Sequence, residues 1–198
     1  MEFVEIHPPD SFHPSLSKEN FDIRDFMGTW YVAHSTLPLW KNKKDVAITY
    51  TPFSLDSSSD FSPRLLCFKD VVEYRAEGAS SSSKPSRVEG IDTLLPAPSN
   101  APSHFSPAAS YKWRGKGLLM IASSYWQFLG YSSSWAVTYF SKTLFTPAGI
   151  DIYVRDGENG LSEELYDEIM RKLAALGGNV GKISKGMFQV KRSASGDL

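Results

Sequence analysis

Short runs rich in Tyr, Phe, Trp, Val, Ile and Thr recur along the chain, separated by polar clusters of Ser, Pro and Gly. Runs of that size and composition, punctuated in that way, are the pattern of strands and turns in a sandwich or barrel. The pattern predicts eight strands, at residues 29–37, 46–51, 65–74, 87–95, 110–121, 125–131, 135–141 and 150–156, with Gly115 and Gly117 as bulge candidates in the fifth. One segment departs from it. Ser162 is an N-cap candidate, Glu163 and Glu164 occupy a first turn, and Leu165, Ile169, Leu173 and Leu176 recur at helical spacing up to Gly177-Gly178. A single apolar stripe of this kind is a packing face, so the helix is expected to lie against the strands from outside. Residues 182–190 then read as a short ninth strand.

Consecutive short strands followed by one late helix predict an all-β fold: an eight-stranded up-and-down antiparallel barrel, closed so that no sheet edge is left bare. The linkers at 56–62, 80–85 and 96–109 are polar, and no change of composition flanks them. They read as hairpin loops of one domain, with an N-terminal arm at 1–19, the barrel at 20–190 and a C-terminal tail at 191–198. Eight strands enclose an interior that either fills with side chains or holds one small ligand. The functional question becomes what lies inside.

Composition narrows the answers. The 198 residues carry 21 Lys+Arg against 22 Asp+Glu, so the concentrated positive charge that nucleic-acid binding requires is missing. No nucleic-acid partner is expected. One cysteine, Cys67, allows no intrachain disulfide, the first residues lack the basic and apolar regions of a signal peptide, and no stretch is long and apolar enough to span a membrane. These features predict a cytoplasmic protein. His7, His13, His34 and His104 are scattered and no set of His, Cys, Asp and Glu has ligand spacing, so neither a metal nor another cofactor is expected. There is no Gly-x-Ser-x-Gly elbow for acyl transfer, and Gly157-x-x-Gly160 lacks the context of a phosphate loop. Lys41, Lys43 and Lys44 form a short basic cluster in the loop after the first strand, where a solvated loop is the simplest reading.

The segment Asn20-Phe21-Asp22-Ile23-Arg24-Asp25-Phe26-Met27-Gly28-Thr29-Trp30-Tyr31 resembles the opening of the lipocalins, a short 3₁₀ turn leading to Gly-x-Trp. Residues 125–140 are similar to the family's second signature, although Leu129-Gly130-Tyr131 keeps only the Tyr of its Thr-Asp-Tyr. Arg155 stands where the third signature has an Arg at the end of the eighth strand. The likeness spans about residues 20–190 and is nearest the branch of bacterial lipocalins, apolipoprotein D and the lipocalin domain of violaxanthin de-epoxidase. It implies a lipocalin-like calyx for a small lipophilic molecule, with Trp30 and Arg155 stacked as the barrel floor.

Alternation then names the wall. If Trp30 points inward, so do Val32 and His34; if Arg155 does, so do Tyr153 and Asp151. Pairing Trp30 with Arg155 sets Val32 opposite Tyr153 and His34 opposite Asp151, close enough to hydrogen-bond. Family parity adds Tyr125, Gln127 and Leu129 from the sixth strand and Ala136, Thr138 and Phe140 from the seventh. The same parity turns Trp135 outward under the helix and leaves Trp40 in a loop at the mouth. Such a wall mixes hydrogen-bonding groups with apolar ones. It suits either a structural polar network under a non-specific pocket or recognition of an oxygenated lipophilic ligand. The alternative is an enzyme without a cofactor, an isomerase, cyclase or dehydratase acting on a natural-product intermediate. His34, Asp151 and Tyr153 would then be its catalytic groups.

Overall fold

The computed structural model describes residues 3–52, 67–116, 123–144, 146–157 and 159–193. Eight antiparallel strands follow one another: β1 (Gly28–Ser35), β2 (Lys43–Pro52), β3 (Cys67–Ala76), β4 (Ser86–Leu94), β5 (Ser110–Gly115), β6 (Ser123–Tyr131), β7 (Trp135–Phe140) and β8 (Gly149–Val154). Each pairs with the next, and β1 pairs with both β2 and β8, which closes the ring. Eight of the expected strands are therefore present and in order, as an up-and-down barrel. Residues 56–62, the start of the third expected strand and the end of the fifth lie outside the described residues.

The helix expected after Ser162 is α1 (Glu163–Ala175), whose first turn is capped by Ser162 Oγ accepting from the Leu165 amide at 3.3 Å. The short ninth strand expected at 182–190 is present but covers only part of that range. Gly178–Ser184 forms a second helix, α2, and only β9 (Phe188–Gln189) is extended, pairing with the end of β1. Gly177 and Gly178 take positive φ values of 63° and 53°, so this pair turns the chain from one helix directly into the next. Val180 and Ser184 of α2 are buried.

Burial on both faces of β7 and β8 explains why those strands are apolar nearly throughout. Inside the ring, Trp30, Ile48, Tyr50, Phe68, Tyr111, Trp126 and Phe128 pack into one core. Outside it, Trp135, Val137, Ile150 and Ile152 pack beneath Ile169 and Leu173 of α1, so Trp135 lies where its parity puts it. The N-terminal arm adds Val4 and Ile6 to this outer layer. Among the described residues no helix is long and apolar enough to cross a membrane.

Candidate ligand-binding site

The closed end of the barrel is built by a 3₁₀ turn, Ile23–Phe26, running into β1. Trp30 is 1% exposed and donates its Nε1–H to the Phe26 carbonyl at 2.8 Å. The Arg155 guanidinium lies 3.8 Å above the Trp30 ring and donates to the carbonyls of Asp25 and Thr29 at 2.8 and 3.2 Å. Gly28, between the turn and Trp30, has φ 92° and sits beside Arg155, a conformation open to glycine. Arg155 thus lies over Trp30, the two residues expected together from Gly-x-Trp and the end of the eighth strand.

The register above the floor differs from strict alternation. Val32 faces Tyr153 as expected, but the pairing shifts at Ala33, so that His34 lies opposite Ile152 and Ser35 opposite Asp151. One bulged residue reverses the parity of everything after it. His34 consequently leaves the calyx. Its ring stacks outside on Tyr166 of α1, 4.3 Å between centroids, and burial lowers its pKa. The expected His34–Asp151 pair does not form. Ser35 takes the inward place and donates to Asp151 Oδ1 at 2.5 Å, while Trp40 Nε1 donates to Asp151 Oδ2 at 3.3 Å.

On β6 the expected parity is also reversed. Trp126 and Phe128 join the inner core, whereas Leu129 lies in the outer one and Tyr125 is 47% exposed with Lys112 over its ring. Gln127 faces the N-terminal arm, where its Oε1 accepts from the Asp10 amide at 2.8 Å. From Trp126 to Leu129 both faces of the strand are covered, so the outward residues are buried as well. On β7, Ala136 belongs to the inner core, Phe140 lines the cavity, and Thr138 lies opposite Asp151, all as alternation predicts.

Toward the open end the barrel encloses a cavity of about 390 Å³, within the range of small-molecule pockets. Trp40, Tyr50, Tyr74, Trp113, Trp126 and Phe140 supply aromatic wall, and Leu37, Leu39, Ile48, Val72 and Val88 aliphatic wall. Lys43 stands in the lining with its ammonium 5.1 Å from the Tyr74 ring centre. Trp40 therefore does line the mouth. A larger open recess of about 970 Å³ lies outside the barrel wall among Tyr31, His34, Asp45, Arg75 and Arg192. It is bordered by charged groups and leaves the aromatic interior untouched.

Three buried carboxyls set the chemistry of the calyx, and alternation from the floor identified only Asp151. Asp70 and Asp92 are diagonal neighbours on β3 and β4, since Asp70 pairs with Gly90 and Asp92 with Phe68. Asp92 Oδ1 accepts from Trp126 Nε1 at 2.6 Å. Asp70 Oδ1, Asp92 Oδ2 and the Tyr153 hydroxyl are buried without a hydrogen-bond partner among the described residues. Burial raises the Asp70 pKa to about 7, and burial together with the neighbouring Asp70 charge pushes Asp92 well above the usual range. Asp151 is likewise raised to about 7 by burial, against the opposing hydrogen bonds from Ser35 and Trp40. Burial, with the Asp151 charge behind it, also raises Tyr153. The signal for Asp70 was present in the sequence, because it shares its parity with Phe68 and Val72 while Lys69, Val71 and Glu73 alternate with it.

The barrel can now be compared with solved structures. It matches apocrustacyanin C1 with a TM-score of 0.57 and 14% identity, over 98% of this chain and 93% of that one. It matches insecticyanin from the tobacco hornworm Manduca sexta with a TM-score of 0.56 and 15% identity, again over 98% and 93%. A bovine lipocalin allergen, Bos d 2, matches at 0.53 and 6% identity, over 86% of this chain and 95% of that one. The fold is that of the lipocalins. Neither a protein-family model nor a curated protein sequence matches the chain.

Proposed function

We infer that this lipocalin-fold protein binds a small, largely apolar, oxygen-bearing molecule in its calyx. The observation that carries this reading is the cavity of about 390 Å³ in which Asp70, Asp151 and Tyr153 interrupt a largely aromatic and aliphatic lining that also includes Lys43 and a few Ser and Thr side chains. A carboxyl with a pKa of about 7 is half protonated at neutral pH and largely protonated below it, and in that form acts as a hydrogen-bond donor. A neutral acid and a phenol facing an apolar cavity complement a carbonyl, ether or hydroxyl oxygen. A hydrocarbon would leave Asp70 Oδ1 and the Tyr153 hydroxyl unpaired at a cost of roughly 1–3 kcal/mol per group, while the Asp151 oxygens keep Ser35 and Trp40.

A comparison of 9-fluorenone with fluorene, which share a shape but differ by a carbonyl, tests the reading. Tryptophan quenching should show the ketone binding about 2- to 10-fold tighter, the value of one net hydrogen bond. Equal affinities would remove the oxygen from the account, and no binding of either would remove the apolar calyx.

A second reading rests on Asp151 alone. A carboxyl at the cavity wall with a pKa of about 7 is matched to proton transfer near neutral pH, as an isomerase, cyclase or dehydratase requires. His34 takes no part in it, because the bulge at Ala33 carries that ring outside. Loss of turnover in Asp151→Asn with ligand affinity retained would favour the enzyme, and retention of turnover would exclude Asp151 as its acid or base.

A further inference from the structure

The N-terminal arm gathers a set of side chains that the calyx does not use. Val4 and Ile6 are buried in the outer core, so alternation directs Glu5 and His7 together toward the other side. The arm is fixed there by the His7 amide, which donates to the Leu129 carbonyl at 2.8 Å. It lies so close to β6 that a Cβ on Gly130 would stand 2.2 Å from the Glu5 carbonyl oxygen. Pro8, Pro9 and Asp10, the last with φ 61°, then turn the chain back, and the 3₁₀ turn that follows presents His13 at its N-cap.

The result is a compact trio. The rings of His7 and His13 stack with centroids 3.9 Å apart and planes inclined by 19°. The two Glu5 carboxylate oxygens lie 3.5 Å from His7 Nε2 and 3.8 Å from His13 Nε2. One ligand atom from each residue falls within 4.8 Å of the other two. The expectation of scattered histidines thus fails for these two, which a sequence separation of six residues and a proline turn bring face to face.

We propose that Glu5, His7 and His13 form a two-histidine, one-carboxylate site for a divalent transition-metal ion of the zinc type, which clasps the arm to the barrel. Zinc–ligand distances of about 2.0–2.2 Å place tetrahedral donors roughly 3.3–3.6 Å apart, close to the spacings here, and the two imidazoles would turn out of their 19° stack to aim both Nε2 lone pairs at one ion. Two imidazoles select this class of ion over calcium or magnesium, which take oxygen ligands. Ser15 Oγ lies 2.9 Å from His13 Nδ1. His13 Nδ1 accepts from the Ser15 amide at 3.3 Å and Ser15 Oγ also lies 3.1 Å from His7 Nε2, so an ion on the two Nε2 atoms would exchange these bonds for an Nδ1–H donated to the hydroxyl, the outer partner that orients a ligating histidine. Remaining coordination positions fall to water.

Isothermal titration of the full, tag-free chain with zinc chloride tests the site. The wild type should take up one zinc ion, His7→Gln and His13→Gln should each weaken uptake by at least about tenfold, and His104→Gln should leave it unchanged. X-ray absorption of the cobalt(II)-loaded protein should report two imidazole nitrogens. Zinc should also raise the melting temperature of the wild type and not that of His7→Gln, a shift that ligand linkage requires of any ion bound only by the folded state. The absence of stoichiometric uptake, or uptake that survives both glutamine variants, overturns the proposal. Circular dichroism of the variants separates lost ligation from lost fold.

Discussion

Ser35 Oγ donates to Asp151 Oδ1 at 2.5 Å in a place where the two residues are 0% and 1% exposed. The same hydroxyl accepts from the Leu37 amide at 2.8 Å, so it ties the end of β1, the following turn and β8 to one point. Ser35→Ala leaves a buried carboxyl oxygen and a buried amide each without this partner. Chemical denaturation should show a loss of about 1–3 kcal/mol, with the Asp151 pKa driven further upward because the bond to Ser35 had favoured the charged form.

The raised acids also give stability a pH dependence with a definite sign. Asp151 has a folded pKa of about 7 against the ordinary value of 3.8, so between those limits the folded chain holds a proton that the unfolded chain has released. Stability therefore falls as pH rises from about 4 to 7 and levels off above, where both states are ionised. Asp151→Asn removes this contribution. Thermal melts from pH 5 to pH 8 should show a shallower decline in the variant, each kcal/mol of relief appearing as about 2–4 °C. Identical slopes in the two proteins would mean that Asp151 titrates normally.

At the other end of the barrel, Arg155→Ala takes away the guanidinium that covers Trp30 and two hydrogen bonds to the Asp25 and Thr29 carbonyls. A destabilisation of about 1–3 kcal/mol is expected. Arg155→Lys should recover little of it, because an ammonium has neither the planar face nor the fork that the site uses.

These residues also mark what could be seen in the chain beforehand. Trp30 and Arg155 were legible through the resemblance of Gly28-Thr29-Trp30 and of the end of the eighth strand to the lipocalin signatures, and Gly28 takes the positive φ that such an opening uses. The strand order and α1 were legible from periodicity. The fate of His34 was not, since one extra residue at Ala33 reverses the parity and nothing in Tyr31-Val32-Ala33-His34-Ser35 announces a bulge. The two faces of β6 could not be told apart because the arm and the outer core bury what would otherwise be its solvent side. The second helix was hidden by its own composition, as Gly178-Asn179-Val180-Gly181 has low helix propensity and is held by burial of Val180.

Gly90 offers a way to alter the cavity without touching its acids. A Cβ there would lie 2.1 Å from Nε1 of Trp113, which belongs to the calyx lining, so Gly90→Ala must move that indole. The account expects weaker binding of 9-fluorenone, by about tenfold for roughly 1.4 kcal/mol of lost packing, and a changed near-ultraviolet dichroism. Unaltered affinity would place the ligand away from β4 and β5.

The location of the ligand is tested most directly by the indole N–H resonances in a titration of the nitrogen-15-labelled protein with 9-fluorenone. Trp40, Trp113 and Trp126 line the cavity, Trp30 lies in the floor beneath Arg155, and Trp135 packs outside the wall. The signals of Trp40, Trp113 and Trp126 should shift together and saturate at one equivalent, while that of Trp135 stays in place. A shift confined to Trp135, or saturation that leaves the three lining indoles unmoved, would contradict binding inside the barrel.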